Sequence, residues 1–244
     1  MRYHPHILIL LLASLIGGGR AIAQDLPVAS DLPIDGKEAR YLEKADNQAL
    51  IYAGELEATY SNQLEGHPYL ETNEYRAGTL SFDNILYPNV QMRLNVHSEN
   101  LILLTPDRRL PIVVPSDRID FARFPDYDVF YAEPLGEKGA LAKGFYARLH
   151  DGTYSLWKRT TKGLERWTNE RILTQRFVEK TAYYICKGDG VFHPVNNKRT
   201  FMKLCKEHKR QLSRYMKSQG LSFRKDKELT LKRLIDYAET LDPR

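Results

Sequence analysis

The chain has 244 residues, of which 42% are hydrophobic and 27% are charged, and its formal net charge is +5. These values are ordinary for a soluble globular protein and allow one sizeable core or two small ones. Beyond the N-terminus no segment is long and apolar enough to cross a membrane as a helix, and repeats of solenoid length are absent.

The N-terminus has the parts of a secretory signal peptide. Arg2 supplies a short positive region, an apolar run extends from Ile7 to Ile16, and Ala21-Ile22-Ala23 offers the small residues that a signal peptidase reads. The run is too short to span a bilayer, although an uncleaved membrane anchor stays open as the alternative. We therefore predict a signal peptide at residues 1–23 that is cleaved after Ala23, a flexible lead-in at 24–48 and one globular unit at 49–244. The location is then periplasmic or secreted.

An alternating stretch stands out in the middle of the chain. Val90, Met92, Leu94 and Val96 are apolar, and the residues between them are polar. A period of two predicts a strand with one buried and one solvated face.

Turn-forming residues recur at short intervals around this stretch and predict sequential antiparallel hairpins. If Asp83-Asn84 is a two-residue loop, Phe82 lies opposite Ile85. Leu80 then lies opposite Tyr87, and all four apolar side chains share one face.

The later sequence continues the pattern. Asp151-Gly152 predicts a hairpin, Lys162-Gly163 predicts another reversal, and a last hairpin joins Lys180–Cys186 to Val191–Val195. We therefore predict an α+β, mainly β fold, in which an antiparallel β-meander over about residues 76–195 forms a curled sheet or barrel-like body.

After residue 195 the period becomes helical, and we predict two C-terminal amphipathic helices over about residues 198–241. Asn197 or Thr200 can cap the first, and Gly220 can end it. Asp226 can cap the second. The stripe of the first helix consists of Phe201, Leu204, Cys205, His208, Leu212, Tyr215 and Met216. The stripe of the second consists of Leu231, Leu234, Ile235, Ala238 and Leu241.

The chain contains two cysteines, Cys186 and Cys205. An exported chain can oxidise them to a disulfide, and two buried thiols are the equal alternative. Cys186 would face His193 if Asp189-Gly190 were a two-residue loop, and such a contact activates nucleophilic cysteines. With a three-residue loop it faces Phe192 instead, so we favour burial or a disulfide over catalysis.

Positive charge is concentrated at the C-terminal end. Lys187 to Arg244 contains 15 Lys and Arg against 7 Asp and Glu, so the rest of the chain sums to −3. A basic surface off the apolar stripe could meet an anionic membrane surface or an acidic partner, although a solvated helix face is favoured. The residues of this basic surface are Lys203, Lys206, Lys209, Arg210 and Lys217.

Sequence motifs for zinc proteases, redox dithiols, phosphate-binding loops and nucleophile elbows are absent. We therefore predict no catalytic, cofactor-binding or metal-binding residues. Export argues against a nucleic-acid partner.

The stretch Gly78 to Val90, with an aromatic, an Asp-Asn turn and a second aromatic before a long alternating strand, resembles a group of exported proteins of Gram-negative bacteria. The hairpin at His193-Pro194-Val195 and the basic helices around Phe223-Arg224-Lys225 resemble the same group, and Cys186 and Cys205 depart from its pattern. The group has no assigned activity, so the resemblance implies an exported envelope protein and nothing about its chemistry.

Together these observations predict a non-enzymatic binding or accessory protein of the cell envelope. The alternatives are an exported hydrolase whose site forms only in three dimensions, and binding of an anionic or membrane surface through the basic helices.

Overall fold

The computed structural model of the protein describes residues 50–132, 141–169, 172–188 and 190–241. Within these ranges one sheet of twelve strands is followed by three helices. The predicted signal peptide and lead-in lie outside the described residues. The strands are β1 (Glu55–Leu56), β2 (Leu64–Glu65), β3 (Arg76–Phe82), β4 (Ile85–Asn95), β5 (Asn100–Leu104), β6 (Pro111–Val113), β7 (Ile119–Arg123), β8 (Asp128–Ala132), β9 (Gly144–His150), β10 (Ser155–Asn169), β11 (Ile172–Cys186) and β12 (Phe192–Pro194). The helices are α1 (Lys198–Leu204), α2 (Lys209–Ser218) and α3 (Lys227–Leu241).

The α+β, mainly β class is confirmed. The strand order is β1-β6-β5-β4-β3-β7-β8-β9-β10-β11-β12, with antiparallel neighbours, and β2 pairs with β11 in parallel. β3 to β6 form one meander, and β7 starts a second one beside β3 rather than beside β6. Among the described strands β1 and β12 stand at the two ends of the order and do not pair with each other, so the sheet is open.

The sheet is nevertheless strongly curled. β4 and β10 have four strands between them in the sheet order, yet the Lys162 N–H donates to the Val96 carbonyl at 3.1 Å. The Lys162 ammonium donates to the carbonyls of Tyr69 at 2.7 Å and His67 at 3.2 Å. These bonds draw the end of β4 against β10 and make the inner face of the sheet concave.

The same contacts explain why the reversal predicted at Lys162-Gly163 is wrong. β10 passes straight through both residues, and Gly163 pairs with Val178 in an unbroken register with β11. Turn chemistry at Lys-Gly is a weak local preference, and the tertiary bonds of Lys162 override it.

The hairpin predicted at Asp83-Asn84 is confirmed. Phe82 pairs with Ile85 and Leu80 pairs with Tyr87. Asp83 and Asn84 have φ of 52° and 61°, the two positive values that the favoured two-residue hairpin turn requires.

The alternation in β4 predicts one face correctly and the other wrongly. Val90, Met92 and Leu94 are buried, as expected. The opposite face is covered instead of solvated, because the segment before β3 folds over it. Asn95 is only 1% exposed, and the Arg93 guanidinium lies 3.7 Å from the centre of the Tyr69 ring.

The predicted first helix is two helices. α1 ends at Leu204 and α2 begins at Lys209, with a turn between them. Residues 206–211 are all polar, so a continuous helix would have more than one turn without an apolar anchor. The predicted caps are confirmed: Asn197 forms a capping box with Thr200, and the Asp226 carboxylate accepts from the Leu229 N–H at 2.9 Å.

Two cores share the concave face. One lies between β3, β4, β5, β7, β8 and β9, and its members include Leu80, Met92 and Phe145. The other lies under the helices and includes Leu156, Leu212 and Leu231. The helices therefore cover one end of the curled sheet, and the seam between the two cores is where a cavity forms.

Candidate functional site

The cavity at the seam has a volume of about 170 Å³ and an apolar floor. Every second side chain of β9 and β10 lines the cavity, because side chains alternate between the two faces of a strand. Residues 145, 147 and 149 share one face of β9, and residues 158 and 160 share one face of β10. The apolar lining residues are Leu70, Leu94, Val96, Val129, Phe145, Ala147 and Leu149. Such a floor suits a small apolar group, because an apolar cavity of about 150 Å³ is large enough for benzene.

One side of the cavity rim carries two lysines that share a carboxylate. Glu228, at the start of α3, accepts from the Lys158 ammonium and from the Lys232 ammonium, each at 2.9 Å. The Tyr183 hydroxyl donates to the same carboxylate at 3.3 Å. Lys158, Lys232 and Glu228 together carry a net charge of +1 at the cavity.

The electrostatics of this lysine side follow from its burial. Burial alone would raise the pKa of Glu228, but the hydrogen bonds from Lys158 and Lys232 outweigh it and lower that pKa below its ordinary value of 4.5. Burial, reinforced by the charge of Glu228, raises the pKa of Tyr183. Glu228 is therefore a firm anion at neutral pH and Tyr183 a neutral phenol.

The opposite side of the rim is acidic. Glu71 and Asp126 both line the cavity, and the Arg76 guanidinium pairs with them at 3.0 Å and 2.5 Å respectively. The Tyr127 hydroxyl donates to Glu71 at 3.3 Å, and burial followed by the charge of Glu71 raises the pKa of Tyr127. A ligand in the cavity would thus meet lysines on one side and carboxylates on the other.

The described lining residues bring together an apolar floor, two lysines and three carboxylates. The described lining residues include no His, Cys or Ser. A carboxylic acid that donates a proton needs a raised pKa, whereas the pKa of Glu228 is lowered. Among the described residues no group of three or more His, Cys, Asp and Glu could hold a metal ion.

The sequence reasoning did not find this cavity, and one signal was available. Lys158 lies on the same face of β10 as Leu156 and Thr160. The alternation of the strand therefore predicts a lysine that points toward the core. Glu228 and Lys232 are an ordinary helix pair at i and i+4, which is more often a surface feature.

The predicted cysteine residues lie apart from the cavity. Cys186 and Cys205 are both buried, 7% and 3% exposed. Cys186 pairs with Phe192 and Ile185 pairs with His193, so the three-residue-loop register is the one observed and the Cys186–His193 pairing is wrong. The disulfide between Cys186 and Cys205 stays a prediction.

The predicted basic surface is exposed at every position. Its residues belong to α1, α2 and the turn between them: Lys203, Lys206, Lys209, Arg210 and Lys217. Leu212, which lies on α2 with three of them, is fully buried.

Comparisons with known proteins add no assignment. No protein-family model matches the chain, and neither curated proteins nor solved structures give a match. In the part of the chain that the structure describes, none of the helices combines the length and the apolar character needed to span a membrane.

Proposed function

We propose that the protein is an exported, non-enzymatic binding protein of the bacterial cell envelope, and that its ligand is a small molecule with an apolar group and an anionic head. One observation carries the ligand part: an apolar cavity opens directly onto the lysine pair Lys158 and Lys232. Export rests on the signal sequence and on the resemblance described above.

The cavity fits the two halves of such a ligand. The apolar group would displace water from the floor around Val96 and Phe145, which is the favourable term in most small-molecule binding. The anionic head would share the ammonium groups with Glu228 and gain charge-assisted hydrogen bonds.

The experiment is an NMR titration of the protein with 4-phenylbutyrate and with its neutral analogue 4-phenylbutan-1-ol. We expect saturable binding of both, with the carboxylate bound more tightly. Lys232→Gln should weaken the binding of 4-phenylbutyrate at least about fivefold, because one charge-assisted hydrogen bond is lost. The affinity for the alcohol should not change.

Filling the cavity supplies the matched control. Ala147 lines the floor, whereas Ala77 on β3 is exposed. Ala147→Leu should abolish binding of both probes and Ala77→Leu should change neither, provided that both variants unfold at the parent's urea midpoint. Unchanged binding by a folded Ala147→Leu variant would refute the proposal.

A second candidate is the attachment of the protein to an anionic membrane surface. It is favoured by the exposure of all five residues of the basic surface. Vesicles with 30% anionic lipid should then sediment the protein at low salt and release it at about 0.5 M salt, since screening shortens the reach of each charge to a few ångströms. Equal sedimentation at both salt concentrations would exclude this electrostatic mode.

The hydrolase alternative is supported less, because the cavity offers binding groups and a floor rather than a nucleophile with a base.

A further inference from the structure

A second recess lies on the other side of the helical core, between the end of β11 and the turn that joins α1 to α2. Its volume is about 310 Å³. The floor consists of Tyr154, Ile185 and Cys205, which are 1%, 1% and 3% exposed. The floor therefore belongs to the second core.

The walls of the recess are basic. Lys187, directly after β11, lines it together with Lys203 and Lys206 of the helical end, and Glu207 is the single carboxylate among the described lining residues. These groups sum to +2 before the two lining histidines, His193 and His208, are counted. Within the described residues none of the three lysines forms an ion pair.

Having no ion pair within the described residues distinguishes these three lysines from the other lysines near the core. Lys158 and Lys232 are paired with Glu228, and the Lys162 ammonium donates to backbone carbonyls. An anion in the recess would therefore not have to displace a carboxylate from any of these three lysines. Lys187 is also held at the floor, because its ammonium lies 5.3 Å from the centre of the Tyr154 ring.

The break in the predicted helix creates this recess. Because α1 stops at Leu204 and Cys205 is buried as its C-cap, Lys203 and Lys206 flank the opening. Gly188 and Gly190 have φ of 73° and 72°, and the chain reverses there so that His193 pairs with Ile185 across β11 and β12.

We propose that this recess binds a soluble phosphomonoester. Lysine ammonium groups are compact point charges that bind phosphate oxygens well, and three of them match a dianion. The volume exceeds that of a bare phosphate ion, so the organic group of the ester fills the remainder above Tyr154. A closed floor and inward walls favour a small solute over a flat lipid surface.

The test is isothermal titration of the protein with phenyl phosphate, with inorganic phosphate and phenyl sulfate as comparisons. Phenyl phosphate should bind with a stoichiometry of one, more tightly than inorganic phosphate, which lacks the organic group, and than phenyl sulfate, which has one charge fewer. The double variant Lys203→Gln, Lys206→Gln should weaken the binding of phenyl phosphate at least about tenfold.

The matched control removes the same charge outside the recess. Lys209→Gln, Lys217→Gln alters two exposed lysines of α2 and should change the affinity less than about twofold. Equal weakening by both double variants would show diffuse attraction to the basic surface and would overturn the proposal. Binding of vesicles with phosphatidic acid in the absence of any phenyl phosphate binding would overturn it in favour of a lipid headgroup. Binding of 4-phenylbutyrate in the seam cavity should survive both variants, which separates this site from the proposed function.

Discussion

Glu228 shows how a single carboxylate organises the lysine side of the cavity. Its two oxygens accept from Lys158 and Lys232, and its side chain is 29% exposed. Because the pair is partly screened by solvent, its contribution to stability is modest, of the order of 1 kcal/mol. Its role is to hold two ammonium groups at the cavity and not to stabilise the fold as a whole.

The lowered pKa of Glu228 predicts a pH dependence of stability. The folded protein binds this proton less readily than the unfolded chain, so the contribution of Glu228 is complete above its ordinary value of 4.5 and is lost as the pH falls through the lowered value. Glu228→Gln should therefore lower the urea midpoint at pH 7, and the difference from the parent should shrink toward pH 3. A difference for Glu228→Gln that is constant from pH 7 to pH 3 would contradict the linkage.

Arg93 explains at the same scale why one face of β4 was predicted wrongly. Its guanidinium lies between the rings of Tyr69 and Tyr75, at 3.7 Å and 4.3 Å, and pairs with Glu57 at 2.7 Å. A polar residue at an outward position indicates solvent only if nothing in the chain returns to cover it. Tyr69 and Tyr75 gave no local sign that they would do so.

At the scale of elements, α2 docks through Leu212, its one fully buried side chain, with Tyr215 and Met216 partly buried against the same core. Leu212 is fully buried in the second core, whereas the lysines and arginines on the rest of α2 are exposed. An isolated helix of ten residues is marginal in water, so docking of this apolar face, with Leu212 at its centre, is what stabilises it.

Truncation of this side chain is the prediction for the element. Leu212→Ala should lower the free energy of unfolding by about 2–4 kcal/mol, as truncations in a core do. Lys206→Gln with Lys209→Gln should change it by no more than about 0.5 kcal/mol, because both side chains are exposed. Urea unfolding of both variants measures this, and a Leu212→Ala variant as stable as the parent would mean that α2 is not docked.

Local patterns predicted the elements whose conformation is fixed locally. The Asp83-Asn84 turn, the capping box of Asn197 and the buried side of β4 each depend on residues within a few positions of one another. The straight course of β10 through Lys162-Gly163 depends on distant partners of Lys162, and there the local prediction was wrong. The cavity belongs to the second kind, because Val96, Phe145 and Glu228 come from three separate elements that only the curl of the sheet brings together.

At the scale of the molecule, the open but curled sheet explains why both recesses exist. The bond between Lys162 and Val96 bends the sheet without completing a barrel, and the helices cover only one end of the concave face. The seam between the cores leaves the apolar cavity with its paired charges. The outer edge of the helical core leaves the basic recess. The two sites differ in chemistry, since one has an apolar floor with balanced charges and the other has unbalanced lysines.

Export concerns the whole chain and is the prediction on which the envelope role depends. The Ala21-Ile22-Ala23 sequence should direct cleavage after Ala23, because signal peptidase accepts only small side chains at these positions. Expression in a Gram-negative host should yield a periplasmic protein whose mass corresponds to a chain that starts at Gln24. Ala23→Phe should block cleavage and leave the longer precursor at the membrane, while Ala29→Leu, beyond the site, should be processed normally. A cytoplasmic protein of full mass would remove the envelope role and leave the seam cavity to be explained by a ligand inside the cell.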